Sequence, residues 1–583
     1  MIRKENAQNK LVSNAVSGIM ATLVYMLSRL LLTPFILHYL SLSEFGLWSL
    51  CFIILSYAGM GGFGVNSTYI RYAARYLAEG REQEISRLLS TGVAYMFLFC
   101  SLFYAGLYFS MPFLMVRFNV EAAQRAVATT LILGTAIVFS IELVLGGFRF
   151  IINGMHEFAK ERMVTTVAGL IEIGAIIGFL ALGSGVKGLL YAYALRLVLE
   201  TLGCWFIAKS LLPSLRVSLR LFSREHLRHF FGFGGKVQVL GMLGIFLTAI
   251  DRLFITAISG LAAGGLFEIG RKLPSAAGGI SSSAFGPFLS TAAHLEGNWT
   301  GDKWKTPAER AVTYLMVALA TVALASAPIA FLDRVRALLP VNSWIAALAA
   351  AGAGAVLLAM LDRSFKTENR LESDELKKLY LDGIRFTNII NSVLFGFLIA
   401  MARPLIDVWV GTKYPGAAEV MIFLSIAYSI QLCTGPVTLL FRGIDRNGRE
   451  LEYMLAQTLL MVLWIPAGTT VWGLTGAAAA IAASMSVSTL FLIWRSNGTF
   501  AIRTGEFVAH SVLPALIPIV PGVLIFTIST LWPQTGRLNL MLQIVACGTF
   551  FVLSSAGLLW KFVLDEAEKT KALELLPLKK GSA

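Results

Sequence analysis

The residues with most chemistry to offer are ionisable side chains set inside long apolar runs: Arg29, Arg196, Arg252, Arg271, Lys272 and Arg403 among the bases, and Glu142, Glu172, Glu200, Asp251, Glu268 and Asp407 among the acids, with Arg403 and Asp407 reading as a pair. Such a group costs roughly 2.5–3.5 kcal/mol to insert into a bilayer, so each requires a partner or a wet cavity. Arg196 and Glu200, four residues apart, read as a pair on one helix face. Glu268 has Arg271 and Lys272 within one turn. Arg29, Arg252, Arg271 and Lys272 fall in the first two helices of two helical groups and read together as the lining of a cationic cavity. A cavity of that sign selects an anion, and guanidinium forks match phosphate oxygens bidentately, so a phosphate or diphosphate is the expected cargo. Glu142 lies mid-span without a basic neighbour in its own helix. Two roles stay open for it: titration during transport, or pairing with Arg29 across helices. Asp251 and Glu268 carry the same choice between coupling and pairing.

Other chemistries have no residues to support them. The six histidines form no ligand cluster, and His226 and His229 read as a solvated surface in a basic connection. Cys51, Cys100, Cys204, Cys433 and Cys547 all sit in apolar segments without disulfide or zinc spacing. Phosphate-binding glycine loops, serine elbows and metalloprotease pairs are missing from the sequence. The expectation is therefore a protein that is not an enzyme, hydrolyses no ATP, and uses neither cofactor nor metal.

These side chains must be positioned by transmembrane helices. Of 583 residues, 56% are hydrophobic and 14% charged, with a mean hydropathy of +0.72, more apolar surface than a soluble chain of this length can bury. The runs are too long for barrel strands and suit helices crossing roughly 30 Å of hydrocarbon. Sixteen spans are expected: Val12 to Leu40, Phe45 to Tyr69, Leu88 to Met111, Val127 to Phe150, Val164 to Leu182, Leu189 to Ile207, Val237 to Ile258, Leu261 to Ala293, Ala311 to Leu332, Trp344 to Leu361, Phe386 to Val410, Ala417 to Phe441, Leu451 to Trp472, Leu474 to Trp494, Phe507 to Leu531 and Leu540 to Phe562. With both termini cytoplasmic, most of the 48 basic residues fall on the cytoplasmic side, as in Arg71, Arg75, Arg81 and Arg87 or Arg216, Arg220, Arg224 and Arg228. This distribution explains the net charge of +14 by topology, with no nucleic-acid partner. Met1 to Lys10 is polar and basic and leads into the first span without a small-residue cleavage site, so that span is expected to stay in the mature protein.

The expected organisation is a six-helix lobe over 1–210, a basic cytoplasmic linker over 211–236, and a second lobe over 237–496. An alanine-rich helical hairpin over 297–378 is inserted in that lobe; two further helices over 497–565 and a cytoplasmic tail over 566–583 follow. A weak repeat relates the lobes: Ser28-Arg29-Leu30-Leu31 precedes Phe45-Gly46-Leu47 as Asp251-Arg252-Leu253-Phe254 precedes Gly265-Leu266-Phe267. Pro34, Gly59, Pro274, Pro287 and Pro436, with Gly61, Gly62 and Gly64, are candidate hinges, close helix packing being the other explanation for the glycines.

Four loose motifs remain: Pro34 with Leu40 and Glu44-Phe45-Gly46-Leu47-Trp48, Arg71-Tyr72, Phe267-Glu268-Ile269-Gly270-Arg271-Lys272-Leu273, and Trp409-Val410-Gly411 with Tyr414. Together they resemble the polysaccharide-repeat-unit flippases, often called Wzx-type, of the superfamily that also holds multidrug extruders and the peptidoglycan precursor flippase. The resemblance covers the chain apart from the inserted hairpin. It implies an all-α polytopic fold with two six-helix lobes alternating around a central cavity in a bacterial inner membrane. The cargo it implies is an undecaprenyl-diphosphate-linked oligosaccharide moved to the outer leaflet, with the bilayer and other polysaccharide-assembly membrane proteins as surroundings. Inserted spans depart from the usual twelve or fourteen helices. Two rivals stand beside this reading: a cation-coupled extruder of the same fold, expected to carry a carboxylate where helix 1 has Arg29, and a membrane glycan-transferring enzyme, for which the outer connections are too short.

Overall fold

The computed structural model describes residues 28–59, 62, 64–155, 157–231, 235–285, 288, 351–356, 358–359, 373–444, 448–532 and 536–575. Every regular element among them is helical, and eleven helices are long and apolar enough to cross a bilayer. The chain is a multi-pass α-helical membrane protein. The start of the first expected span, Gly61, Pro287 and almost all of the inserted hairpin lie outside the described residues.

Two compact units divide between Glu268 and Ile269. The first opens with α1 (28–39), α2 (Leu42–Gly59) and α3 (Val65–Ala78). A reciprocal capping box starts α2: the Glu44 carboxylate accepts from the Ser41 amide and hydroxyl at 2.9 and 2.8 Å, and the Ser41 hydroxyl accepts from the Glu44 amide. The single span expected from Phe45 to Tyr69 is two helices. Gly64 precedes α3 with φ of 64°, a left-handed conformation that glycine adopts without a Cβ penalty. There follow α4 (Glu82–Arg117), α5 (Arg125–Leu145), α6 (Gly147–Gly154), α7 (Phe158–Ala181), α8 (Gly185–Leu211) and the short α9 (Arg224–His229). Packed along each other, α7 and α8 form the most extensive helix pair of the unit, while α5 lies against α2, α4 and α8. The core gathers Tyr69, Leu88, Leu89, Ile151, Ile152, Cys204 and Phe230.

The stretch α10 (Gly235–Ser282) is two helices that turn at Gly260, whose φ is 86°, at the boundary expected between Val237 to Ile258 and Leu261 to Ala293. Its second half crosses α2 closely: a Cβ on Gly46 would stand 1.9 Å from the Leu261 carbonyl oxygen, and one on Gly265 would stand 2.6 Å from the Leu42 carbonyl oxygen. The two glycines of the proposed repeat therefore face each other, as small residues do where membrane helices meet. Pro274 lies inside this helix, Pro34 inside α1, and Gly59 ends α2.

The second unit contains α11 (Asp374–Ala400), α12 (Ala402–Trp409), α13 (Pro415–Gln431), α14 (Thr434–Gly443), α15 (Gly448–Thr499), α16 (Thr504–Leu531), α17 (Gly536–Phe562) and α18 (Glu566–Leu575). Two expected spans are broken, Phe386 to Val410 at Met401 and Ala417 to Phe441 before Thr434 and Pro436, whereas α15 is two helices that turn at Trp472 and Gly473, where the boundary between two expected spans falls. Two ion pairs and a histidine–carboxylate contact fasten α11 to the C-terminal helices: Lys377 to Glu506 at 2.8 Å, Arg385 to Glu568 at 3.0 Å, and Asp382 to His510 at 2.9 Å.

Candidate functional site

Three faces converge inside the first unit because their polar residues recur at helical spacing. On α8, Tyr193, Arg196 and Glu200 fall at i, i+3 and i+7; on α7, Glu161 and Glu172 are eleven residues apart, close to three turns. Glu142 near the end of α5 and Arg149 on α6 face the same interior.

The result is a continuous charge network. Arg29 Nη2 lies 2.5 Å from Glu172 Oε2. Arg196 reaches three carboxylates, Glu200 at 2.9 Å, Glu142 at 3.4 Å and Glu172 at 3.6 Å. The Tyr193 hydroxyl donates to Glu142 at 2.8 Å, and the Arg196 guanidinium lies over the Tyr193 ring. Arg149 continues the chain to Glu200 at 3.0 Å and to Glu161 at 2.5 Å. The last contact is close without an N–H aimed at the oxygen, so it is a charge contact rather than a hydrogen bond. Glu161 is fully buried and also stands 3.5 Å from Arg162. A cavity of about 240 Å³ opens against Glu142, Arg149 and Glu200, with Asn66, Thr201 and Cys204 on its wall.

This arrangement revises part of the sequence reading. The Arg196–Glu200 pair forms as its spacing implies. Arg29, however, is held by Glu172 and not by Glu142, whose basic partner is Arg196 from another helix. Arg29 keeps 32% of its side chain exposed, against 4% for Glu172. Arg149, Glu161 and Tyr193 were missed because they were assigned to span ends or read as apolar filling. The eleven-residue spacing of Glu161 and Glu172, and the seven-residue spacing of Glu142 and Arg149, are the signals that point to them.

The remaining candidates lie on α10. Asp251 is buried, its carboxylate accepting from the Arg252 amide at 2.7 Å, and Tyr57 of α2 is within electrostatic range of both. Glu268 closes the first unit, whereas Arg271 and Lys272, half-buried, belong to the second. No group of His, Cys, Asp and Glu suited to a metal occurs among the described residues. All five cysteines are buried and unbridged.

His226 departs from expectation. Instead of standing on a solvated surface it is only 2% exposed, its Nε2 lying 3.2 Å from Glu84, and His229 stacks on Tyr72 at 4.2 Å. Aromatic neighbours on α3 and a carboxylate on α4 cover a residue that its basic sequence surroundings would leave in water. Burial lowers the His226 pKa below its ordinary 6.5, with Glu84 opposing the shift.

Comparison with known proteins places this geometry. The family described as Polysaccharide biosynthesis protein matches residues 36–291. Among curated proteins, no sequence matches the chain. A structure of the lipid II flippase MurJ in an inward closed conformation is similar over 95% of this chain and 100% of its own, with a TM-score of 0.62 and 11% identity. An inward-facing multidrug resistance MATE transporter of the MOP superfamily is similar over 82% of this chain and 94% of its own, with a TM-score of 0.52 and 16% identity. The chain shares its fold with these two transporters, and its residues 36–291 match the polysaccharide biosynthesis family model, in line with the resemblance in its motifs.

Proposed function

We propose that this protein is a flippase that moves a lipid-diphosphate-linked oligosaccharide from the cytoplasmic to the outer leaflet during surface polysaccharide biosynthesis. The observation that carries the reading is a set of intramembrane guanidinium and ammonium groups, Arg29, Arg252, Arg271 and Lys272, on the fold of a lipid flippase that also matches a polysaccharide family. Guanidinium and ammonium donors match the oxygens of an anionic headgroup. Arg29, paired with Glu172, serves the cargo as an oriented hydrogen-bond donor beside Arg252, Arg271 and Lys272. The isoprenoid tail stays in the bilayer while the diphosphate and sugar cross.

Deletion in the parent organism tests the cargo: lipid-linked saccharide should accumulate on the cytoplasmic face while the surface polysaccharide is lost. Arg252→Glu, Arg271→Glu and Lys272→Glu should each abolish rescue while reaching the membrane at normal levels, scored by surface glycan and membrane immunoblot. Normal rescue by all three would remove the cationic site from the reading. The rival extruder predicts drug resistance on overexpression without a glycan defect.

A further inference from the structure

The stretch over 212–231, between the last helix of the first group and α10, has two unlike sides. Its inner side is anchored: Leu212, Leu215, His226 and Phe230 are buried. Hydroxyls of α4 hold its backbone, Ser86 accepting from the Arg216 amide at 3.1 Å, Ser90 from the Ser218 amide at 3.1 Å and Thr91 from the Ser223 amide at 3.0 Å. Lys209 donates to the carbonyls of Pro213 and Leu215 at 2.8 and 2.6 Å.

Its outer side presents Arg216, Arg220, Arg224 and Arg228 at four-residue intervals, all exposed, with Glu225 as the one acidic side chain of the stretch. Between them stand exposed apolar groups, Val217, Phe222 and above all Leu219, which is 80% exposed. Facing only water, this mixture would leave contiguous apolar surface unsatisfied. Its depth supplies the partner. With 36 residues, α4 is about 54 Å long, longer than the roughly 40–45 Å of a whole bilayer, and its first turns carry Glu82, Glu84 and Arg87, charges that belong at headgroup level beside Ser86 to Thr91. The end of α8 exposes Trp205 and Phe206, aromatics of the kind that mark the membrane interface. Phe231 meets Tyr95 of α4 edge-on at 5.5 Å and joins the strap to the apolar belt.

We infer that this strap is a binding surface for anionic phospholipid of the cytoplasmic leaflet: its four arginines take headgroup phosphates while Val217, Leu219 and Phe222 enter the acyl boundary. The inference uses the sidedness set by the arginine distribution and is independent of the cargo proposed above.

The test uses the full-length protein in nanodiscs of phosphatidylcholine alone or with about three parts in ten phosphatidylglycerol. Because the native cysteines are buried, Leu219→Cys provides a selectively labelled fluorescent site. The label should be quenched by shallow acyl-chain nitroxides and protected from aqueous iodide. Native mass spectrometry should find phosphatidylglycerol retained roughly tenfold over phosphatidylcholine, a preference erased in Arg216→Gln/Arg220→Gln/Arg224→Gln/Arg228→Gln. If the quadruple variant misfolds on gel filtration, Arg216→Gln/Arg220→Gln, whose lost side chains are exposed, should at least halve the preference. An iodide-accessible label, or a preference unchanged in the folded arginine variant, would overturn the inference, including the case in which the arginines serve an acidic protein instead.

Discussion

Arg196 is the residue on which the first unit's charge balance turns, because it alone among the described residues touches Glu142, Glu172 and Glu200 together. Arg196→Leu should cost about 3–5 kcal/mol, since buried carboxylates would lose their shared cation, and should appear as lost folded yield in detergent. Glu142 differs from the other acids. It borders the cavity, receives the Tyr193 hydroxyl, and meets Arg196 only at 3.4 Å, so replacing its carboxylate by an amide leaves the stronger pairs intact. Glu142→Gln should therefore fold normally and flatten the dependence of translocation on a pH gradient in proteoliposomes; an unchanged response would exclude it from coupling. His226 gives a second, separate prediction. Its pKa is lowered in the folded protein, so the unfolded segment takes up the proton first as pH falls below the ordinary 6.5, and stability present above that value is lost below it. Amide protection factors over 224–230, taken relative to the intrinsic exchange rate at each pH, should fall on acidification from neutrality, and His226→Gln should remove that fall.

At the scale of helices, the informative feature is where they approach or break. The crossing of α2 with the second half of α10 leaves no room for a side chain at Gly46. Gly46→Leu should separate the two helices and destabilise the unit by at least about 2 kcal/mol, seen as a lower melting temperature, whereas Gly62→Ala, with open space around it, should be nearly neutral. Breaks at Gly64, Met401 and Cys433 turn expected straight spans into pairs of shorter helices. Backbone groups freed at such breaks must find other partners inside protein, which makes these positions costly to form and informative about where the bundle bends.

For the whole molecule the proposed function carries an energetic consequence. An anionic cargo leaving an inside-negative compartment gains about 2.3 kcal/mol per charge per 100 mV, so a diphosphate can be driven outward without nucleotide. Flipping of a fluorescent lipid diphosphate in proteoliposomes should rise with an imposed potassium-diffusion potential and ignore added ATP. Indifference to the potential would instead require an ion gradient as the drive.

Lipid itself explains how much of this was legible in the sequence. Hydrocarbon forces every backbone group to pair locally, so long apolar runs declare helices, and the i, i+4 spacing of Arg196 and Glu200 declares their pair. Arginine placement likewise sets the expected sidedness. Contacts between distant positions had no such local sign. Glu172 meets Arg29 across 143 residues, Arg149 meets Glu200 across 51, and Gly46 meets Leu261 only once two helices cross in one register. His226 became a buried group because Tyr76 and Glu84 happen to close over its helix. Composition and periodicity settled which segments enter the membrane; the packing of those segments decided which charge neutralises which, because that depends on rotation and depth that no single helix specifies.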